Sequence, residues 1–301
     1  MSTEQIAGGT SVRSVPASAG GSMVRRILLG SQLRRLREQC GVSREEAGYS
    51  IRASESKISR MELGRVSFKP RDVADLLTLY GVTDEKEREP LLRLARASSQ
   101  AGWWHSYNDV LPSWFQTYVG LEAAAQRIGT YELQFVHGLL QTEAYAQAVM
   151  LSGHRGRLPR SEVEKRIALR LGRQKLLVSE HAPHLHCVLD EAALRRQYGG
   201  PEVMDEQFAA LLAYSEYPNI TLQVVPFAQG GHVAESGAFT LLRFAEEEIP
   251  DLVYLEQLTG ALYLDKGEEV AAYQDVLDRL AESALDVAAT RRLLSEMRRR
   301  L

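Results

Sequence analysis

Between residues 43 and 62 the chain reads SREEAGYSIRASESKISRME, and no other stretch constrains its folding as tightly. Ser43 is a good N-cap, and Glu46 stands three residues later, the pattern of a capping box. Ser54 is a second N-cap. The first helix can therefore run only from Arg44 to about Ser50, and the second ends near Gly64. A turn of three or four residues joins them. Leu29, Leu33 and Leu36 recur at helical spacing ahead of this pair, and Gly41 stops that segment. Two more helical segments, about 70–80 and 84–97, follow it. Five short helices thus fill some 70 residues. In such a unit the second helix of the pair is placed to enter a DNA major groove. Ser54, Glu55, Ser56, Lys57 and Arg60 then lie on its exposed front, while Ile58 and Met61 point to the core. Ser54 can also reach a phosphate, and Lys57 and Arg60 can donate to phosphates or guanine edges. Arg44 sits where a helix N-terminus would meet the phosphate backbone.

Charge marks the same region. Residues 24–71 hold 12 Lys and Arg against 5 Asp and Glu, a net of +7, whereas residues 72–301 carry −10. A short basic block attracts phosphates, and an acidic remainder limits nonspecific binding. Residues 1–23, rich in Ser, Gly, Ala and Thr, read as a disordered tail. A length of 301 residues then leaves room for a second, larger domain over 99–301, with the helical domain at 24–98. After Pro183 the periodicity changes. His184–Leu189, Ile220–Val225, Phe239–Phe244 and Leu252–Leu255 read as short strands, with Tyr263 in a further one. Helices are expected at 113–125, 142–151, from a Ser161/Glu164 capping box to Val178, over 191–216 and over 268–300. The fold class is α+β: an all-α five-helix domain followed by a larger mixed α/β domain. Two cysteines, no apolar run of membrane-spanning length and no signal-peptide core point to a cytoplasmic, nucleoid-associated protein.

Several clusters outside the helix pair have chemical potential. His181, His184, His186 and Cys187 lie close together, but on a strand Cys187 faces away from His184 and His186, so no metal site is assigned. Asp190, Glu191 and Glu256 are available carboxylates, yet Asp190 reads as an N-cap and Glu256 as an arginine partner. Arg166, Arg170 and Arg173 share a helix face, expected to be solvated and paired with Glu162 and Glu164. Trp103, Trp104, Tyr107, Trp114, Phe115 and Tyr118 either pack a core at the domain junction or wall a ligand pocket. Val270, Tyr273, Leu277 and Leu280 form an apolar stripe assigned to a dimer interface. No nucleophile elbow, phosphate loop or dinucleotide fingerprint occurs, so no catalytic residue and no cofactor are assigned.

Ser43, Glu46, Ser54, Ile58, Ser59, Arg60, Glu62 and Gly64, after the helix Leu28–Arg37, resemble the Xre-type (lambda-repressor-like) helix-turn-helix family over about 27–97. That resemblance implies DNA binding and makes Glu62 a structural residue. Ala47 and Gly48 stand where the family has a large aliphatic residue and Ala, and Arg52 where it has the turn glycine. Leu111-Pro112-Ser113-Trp114-Phe115, Gly138-Leu139-Leu140-Gln141-Thr142-Glu143-Ala144-Tyr145 and Val253-Tyr254-Leu255-Glu256 resemble the C-terminal domain of WhiJ-like actinobacterial regulators, with His137 in place of Pro. This implies transcription control, with a small partner protein encoded nearby or a small-molecule effector. The expected partners are double-stranded DNA and a second copy of the chain. The alternatives are an antitoxin-like module that binds a protein and autoregulates, and a DNA-tethered enzyme.

Overall fold

The computed structural model describes residues 22–98, 103–153, 159–245 and 249–301. The chain divides into two compact units, Met1–Gly102 and Trp103–Leu301. The disordered tail expected over 1–23 lies outside the described residues up to 21; Ser22 and Met23 already belong to a helix.

In the first unit α1 (Ser22–Gln39), α2 (Arg44–Ser50), α3 (Glu55–Glu62), α4 (Pro70–Leu79) and α5 (Glu85–Ser98) surround one core. Leu28, Leu29, Leu33 and Leu36 of α1 are buried, as are Ile58 and Met61 of α3, Val73 and Leu77 of α4 and Leu91 of α5. The α1–α3 crossing is tight enough to require glycine: a Cβ on Gly30 would lie 2.4 Å from the Met61 carbonyl oxygen. Arg26 donates from Nε to the Ser98 carbonyl at 3.1 Å, so a cation covers the carbonyl end of α5.

The second unit is built on a six-stranded sheet of β1 (Arg127–Glu132), β2 (His184–Asp190), β3 (Ile220–Val225), β4 (Phe239–Arg243), β5 (Leu252–Gln257) and β6 (Gly260–Leu264), in the order β3-β2-β1-β4-β5-β6. β1, β2 and β3 run parallel, and β4 to β6 continue antiparallel. β1 is the central strand, and sequence periodicity does not announce it. It is buried on both faces, so polar alternation is absent, and Gly129 interrupts its apolar run. The crossovers carry α7 (Glu143–Gly153) and α8 (Arg160–Gln174) between β1 and β2, then α9 (Glu191–Arg195) and α10 (Pro201–Tyr214) between β2 and β3. α6 (Ser113–Glu122) precedes β1, and α11 (Gly267–Ser283) and α12 (Val287–Arg299) close the chain.

Three sequence expectations are corrected here. The helix expected over 268–300 is two helices. Leu285 donates its backbone N–H to the Val224 carbonyl at 2.9 Å, covering part of the exposed edge of β3, and Asp286 caps α12 by accepting from Ala289 N at 2.6 Å. The apolar stripe assigned to a dimer interface is used inside the chain: Val270, Leu277 and Leu280 pack with Tyr131, Leu241 and Val253, and Tyr273 lies against them. The Ser161/Glu164 capping box does not form. α8 starts two residues earlier, after Pro159, and Glu164 instead accepts from Arg160 Nε at 2.9 Å. Among the described residues no helix is long and apolar enough to cross a membrane.

Candidate nucleic-acid interface

The capping box at Ser43 is complete. Its hydroxyl accepts from Glu46 N at 3.1 Å, and the Glu46 carboxylate accepts from Ser43 N at 2.8 Å. Ser54 caps α3 by accepting from Lys57 N at 3.2 Å. Between the helices the chain turns at Arg52, whose φ of +54° is the only positive value at a non-glycine residue among the described residues. The usual turn shape thus survives without glycine, at a backbone cost of about 1–2 kcal/mol. Gly48 is what lets the turn close. Ala53 N donates to the Gly48 carbonyl at 2.8 Å, and a Cβ on Gly48 would stand 2.7 Å from the Ala53 oxygen.

α3 is held from behind by Glu62. This carboxylate is 5% exposed and accepts from Arg37 Nε at 2.5 Å and from Arg44 Nε at 3.0 Å. Arg37 also donates to the Val42 carbonyl at 2.9 Å, and its hydrogen bond to Glu62 holds its pKa above the ordinary arginine value. One buried acid therefore ties α1, α2 and α3 together, and α3 is presented as a fixed rod.

On the front, Ser54, Glu55, Ser56 and Arg60 are exposed. Arg60 leans on its own helix, donating to the Ser56 carbonyl at 3.3 Å. Lys57 is less free. It is half-buried, and its ammonium lies 3.0 Å from Asp72 of α4. Arg44 is half-buried too, held against Glu62 at the start of α2. The six sequence-assigned residues therefore split into four open side chains and two already engaged in ion pairs. The structure adds residues the sequence reading passed over. Tyr49 is 88% exposed at the end of α2, and Arg52, Lys69 and Arg71 are exposed as well. An aromatic residue off the apolar face of a short helix was the available signal for Tyr49.

The other chemical candidates resolve differently. His181 and His184 are exposed, His186 shares a hydrogen with Gln223 Oε1 at 2.8 Å, and Cys187 is fully buried. Among the described residues no group of three His, Cys, Asp or Glu side chains is placed to hold a metal. Asp190 caps α9 as expected, accepting from Ala192 N at 2.7 Å. Glu256 accepts from the Tyr254 hydroxyl at 3.0 Å rather than from an arginine. The solvated arginine face is a correction. Only Arg166 pairs with Glu162, at 2.7 Å. Arg173 is buried in a two-pronged pair with Glu122, at 2.6 and 2.7 Å, under the rings of Phe115 and Tyr118. Arg170 donates to Gln141 Oε1 at 2.6 Å. Trp104 enters a small core with Val119 and Leu169, whereas Trp103 is 45% exposed and, with Tyr107 and Leu171, walls a cavity of about 650 Å³.

Residues 28–91 match a family model described as a helix-turn-helix domain. Residues 115–296 match one described as a domain of unknown function, DUF5753. No curated protein and no solved structure matches the chain.

Proposed function

The chain belongs to the DUF5753 family and carries a helix-turn-helix domain ahead of it, and from this premise we propose a sequence-specific, DNA-binding transcriptional regulator of the Xre type. One observation carries the reading. α3 offers an open N-terminal turn, Ser54-Glu55-Ser56, on a base clamped by Glu62, within a block of net charge +7. Ser54 and Arg44 lie near the two helix N-termini, where phosphates are favoured. Ser56 and Arg60 are placed for base edges or phosphates, and Glu55 for a cytosine amine. Lys57 exchanges Asp72 for DNA. The protein acts as a homodimer on paired half-sites, and the WhiJ-like second domain senses a small molecule or a protein partner.

The test is selection of bound duplexes from a random pool by the full-length protein, followed by titration of the selected site. Arg60→Ala and Lys57→Ala are each expected to cost about 1–3 kcal/mol of specific binding. Unchanged affinity in both variants would sink the assignment of α3.

A protein partner, as in an antitoxin-like module, draws on a different observation. β6 ends the sheet, Leu262 on it is 55% exposed, and Leu258 in the β5–β6 turn is 99% exposed. A terminal strand beside exposed leucines suits strand addition by another chain. Co-purification of a stable complex that Leu262→Lys abolishes would favour this reading over small-molecule sensing.

A further inference from the structure

On the face of the sheet opposite α11, a polar strip crosses three strands. Thr130 of β1 pairs with Thr240 of β4, and Thr240 with Tyr254 of β5. Side chains two residues apart share a face, so Glu132 and Glu256 project beside Thr130 and Tyr254. Their hydrogen bonds agree: Glu132 accepts from the Thr130 hydroxyl at 3.3 Å and Glu256 from the Tyr254 hydroxyl at 3.0 Å. Just before β4, two residues ahead of Thr240, the chain carries Ala238, which is small and exposed. The strip therefore opens into a solvent-reached cleft at the carboxyl ends of β1 and β5. Open α/β sheets bind their ligands at the carboxyl ends of parallel strands.

Arg170 of α8 faces the same acids and feels both Glu256 and Glu132. Arg170 and Glu132 are half-buried, whereas Glu256 stands exposed at the end of β5, and between half-buried groups opposite charges normally meet directly, since the hydration they lose is otherwise uncompensated. Here they do not. Among the described residues, Arg170 bonds a neutral amide oxygen and each glutamate bonds a neutral hydroxyl. The neighbouring Arg173 is already neutralised by Glu122. The cleft thus keeps one guanidinium and two carboxyl groups apart, each held by an uncharged partner. Burial first, with Glu256 adding to it, pushes the Glu132 carboxyl up to about 8, against the opposing pull of Thr130, Arg170 and Arg173. A cation seated between the two acids would relieve that cost, but a bare amine would be repelled by Arg170. A ligand carrying both signs satisfies all three groups.

We propose that this cleft binds a small zwitterion of the amino-acid class, its carboxylate on Arg170 and its ammonium between Glu132 and Glu256. As the effector of the regulator, this ligand rests on the reading under Proposed function; as a bound molecule it does not. The experiment is calorimetric titration of the full-length protein, without DNA, against each of the common L-amino acids at millimolar concentration. Any amino acid that binds is then compared with its amide and with its deaminated acid. At least one amino acid is expected to bind, with its amide and deaminated acid at least tenfold weaker. Glu132→Gln and Arg170→Lys are expected to weaken it tenfold or more, and Arg166→Ala, on the same helix but paired with Glu162, to leave it unchanged. Circular dichroism of each variant checks folding, and Glu132→Gln keeps the shape of the protonated acid should Arg170→Lys fail to fold. No binding by any amino acid, equal binding of the amide or deaminated acid, or binding indifferent to Glu132→Gln would each overturn the proposal. Operator affinity of the same preparation separates the two readings: failed titration with intact DNA binding sinks this one alone, and the reverse sinks the other alone.

Discussion

At the scale of single residues, buried charge is used in two opposite ways. Glu62 is surrounded by arginines and earns its burial through Arg37 and Arg44. Glu132 has only a hydroxyl and keeps its proton instead, titrating at about 8 rather than at the ordinary 4.5. That difference makes stability depend on pH. The folded chain binds this proton more tightly than the unfolded chain, so the contribution is complete below the ordinary carboxyl value and is lost as pH rises through 8. Glu132→Gln stays neutral throughout. The stability of this variant relative to the parent should therefore grow by about 2 kcal/mol between pH 5 and pH 9, a figure discounted for the solvent that reaches the cleft. Urea melts of both proteins across that range would show it. His137, buried and neutral with its pKa brought down to about 4 by burial, costs stability only as pH falls below the usual histidine range. It acts alike in both proteins and cancels from the comparison. Parallel stability curves would mean that Glu132 ionises freely.

At the scale of elements, the helix pair was legible because its signals are local. Two serine caps, a glutamate three residues after the first, and an apolar pair on α3 specify α2, α3 and the turn without reference to the rest of the chain. Arg52 was legible as the turn residue through the family resemblance, which has a glycine at that position, and its positive φ agrees. The cleft was not. Glu132, Arg170 and Glu256 stand on three elements far apart in sequence, and β1, which anchors them, has no alternation to read. Arg170 and Arg173 keep the spacing of a solvated stripe, and only the tertiary fold shows that α8 turns them inward. The break between α11 and α12 likewise depends on a bond to β3. Gly48 marks the limit of local rules inside the helix pair. By propensity alone, Gly48→Ala should stabilise α2 by about 1 kcal/mol. The Ala53 carbonyl, 2.7 Å from the added Cβ, decides otherwise. The variant should lose about 1–3 kcal/mol of stability and bind its selected duplex more weakly, because the turn that orients α3 must open. Thermal melts and duplex titration would check it, and a stabilised variant with full DNA affinity would show that the turn yields cheaply.

At the scale of the whole molecule, a net charge of −3 conceals a +7 block over residues 24–71. What that block does on DNA can be read from salt. Arg52, Arg60, Lys69 and Arg71 are exposed around the α2–α3 pair and the start of α4, whereas Lys57 and Arg44 must first leave Asp72 and Glu62. Four phosphate contacts release counterions with a slope of log affinity on log salt of about −3 to −4 for one protomer. Two protomers on paired half-sites double it to about −7, so that affinity falls on the order of ten-thousand-fold between 50 and 200 mM salt. The slope therefore reports the number of protomers engaged, independently of which bases are read. Arg71→Ala should shrink it by about 1 per engaged protomer and weaken all duplexes alike, as a phosphate contact does. A slope near −3 with Arg71→Ala lowering it by 1 would leave the α3 assignment standing and remove the homodimer. A slope near zero would mean that the basic block does not meet the duplex at all, and the DNA reading would fall with it.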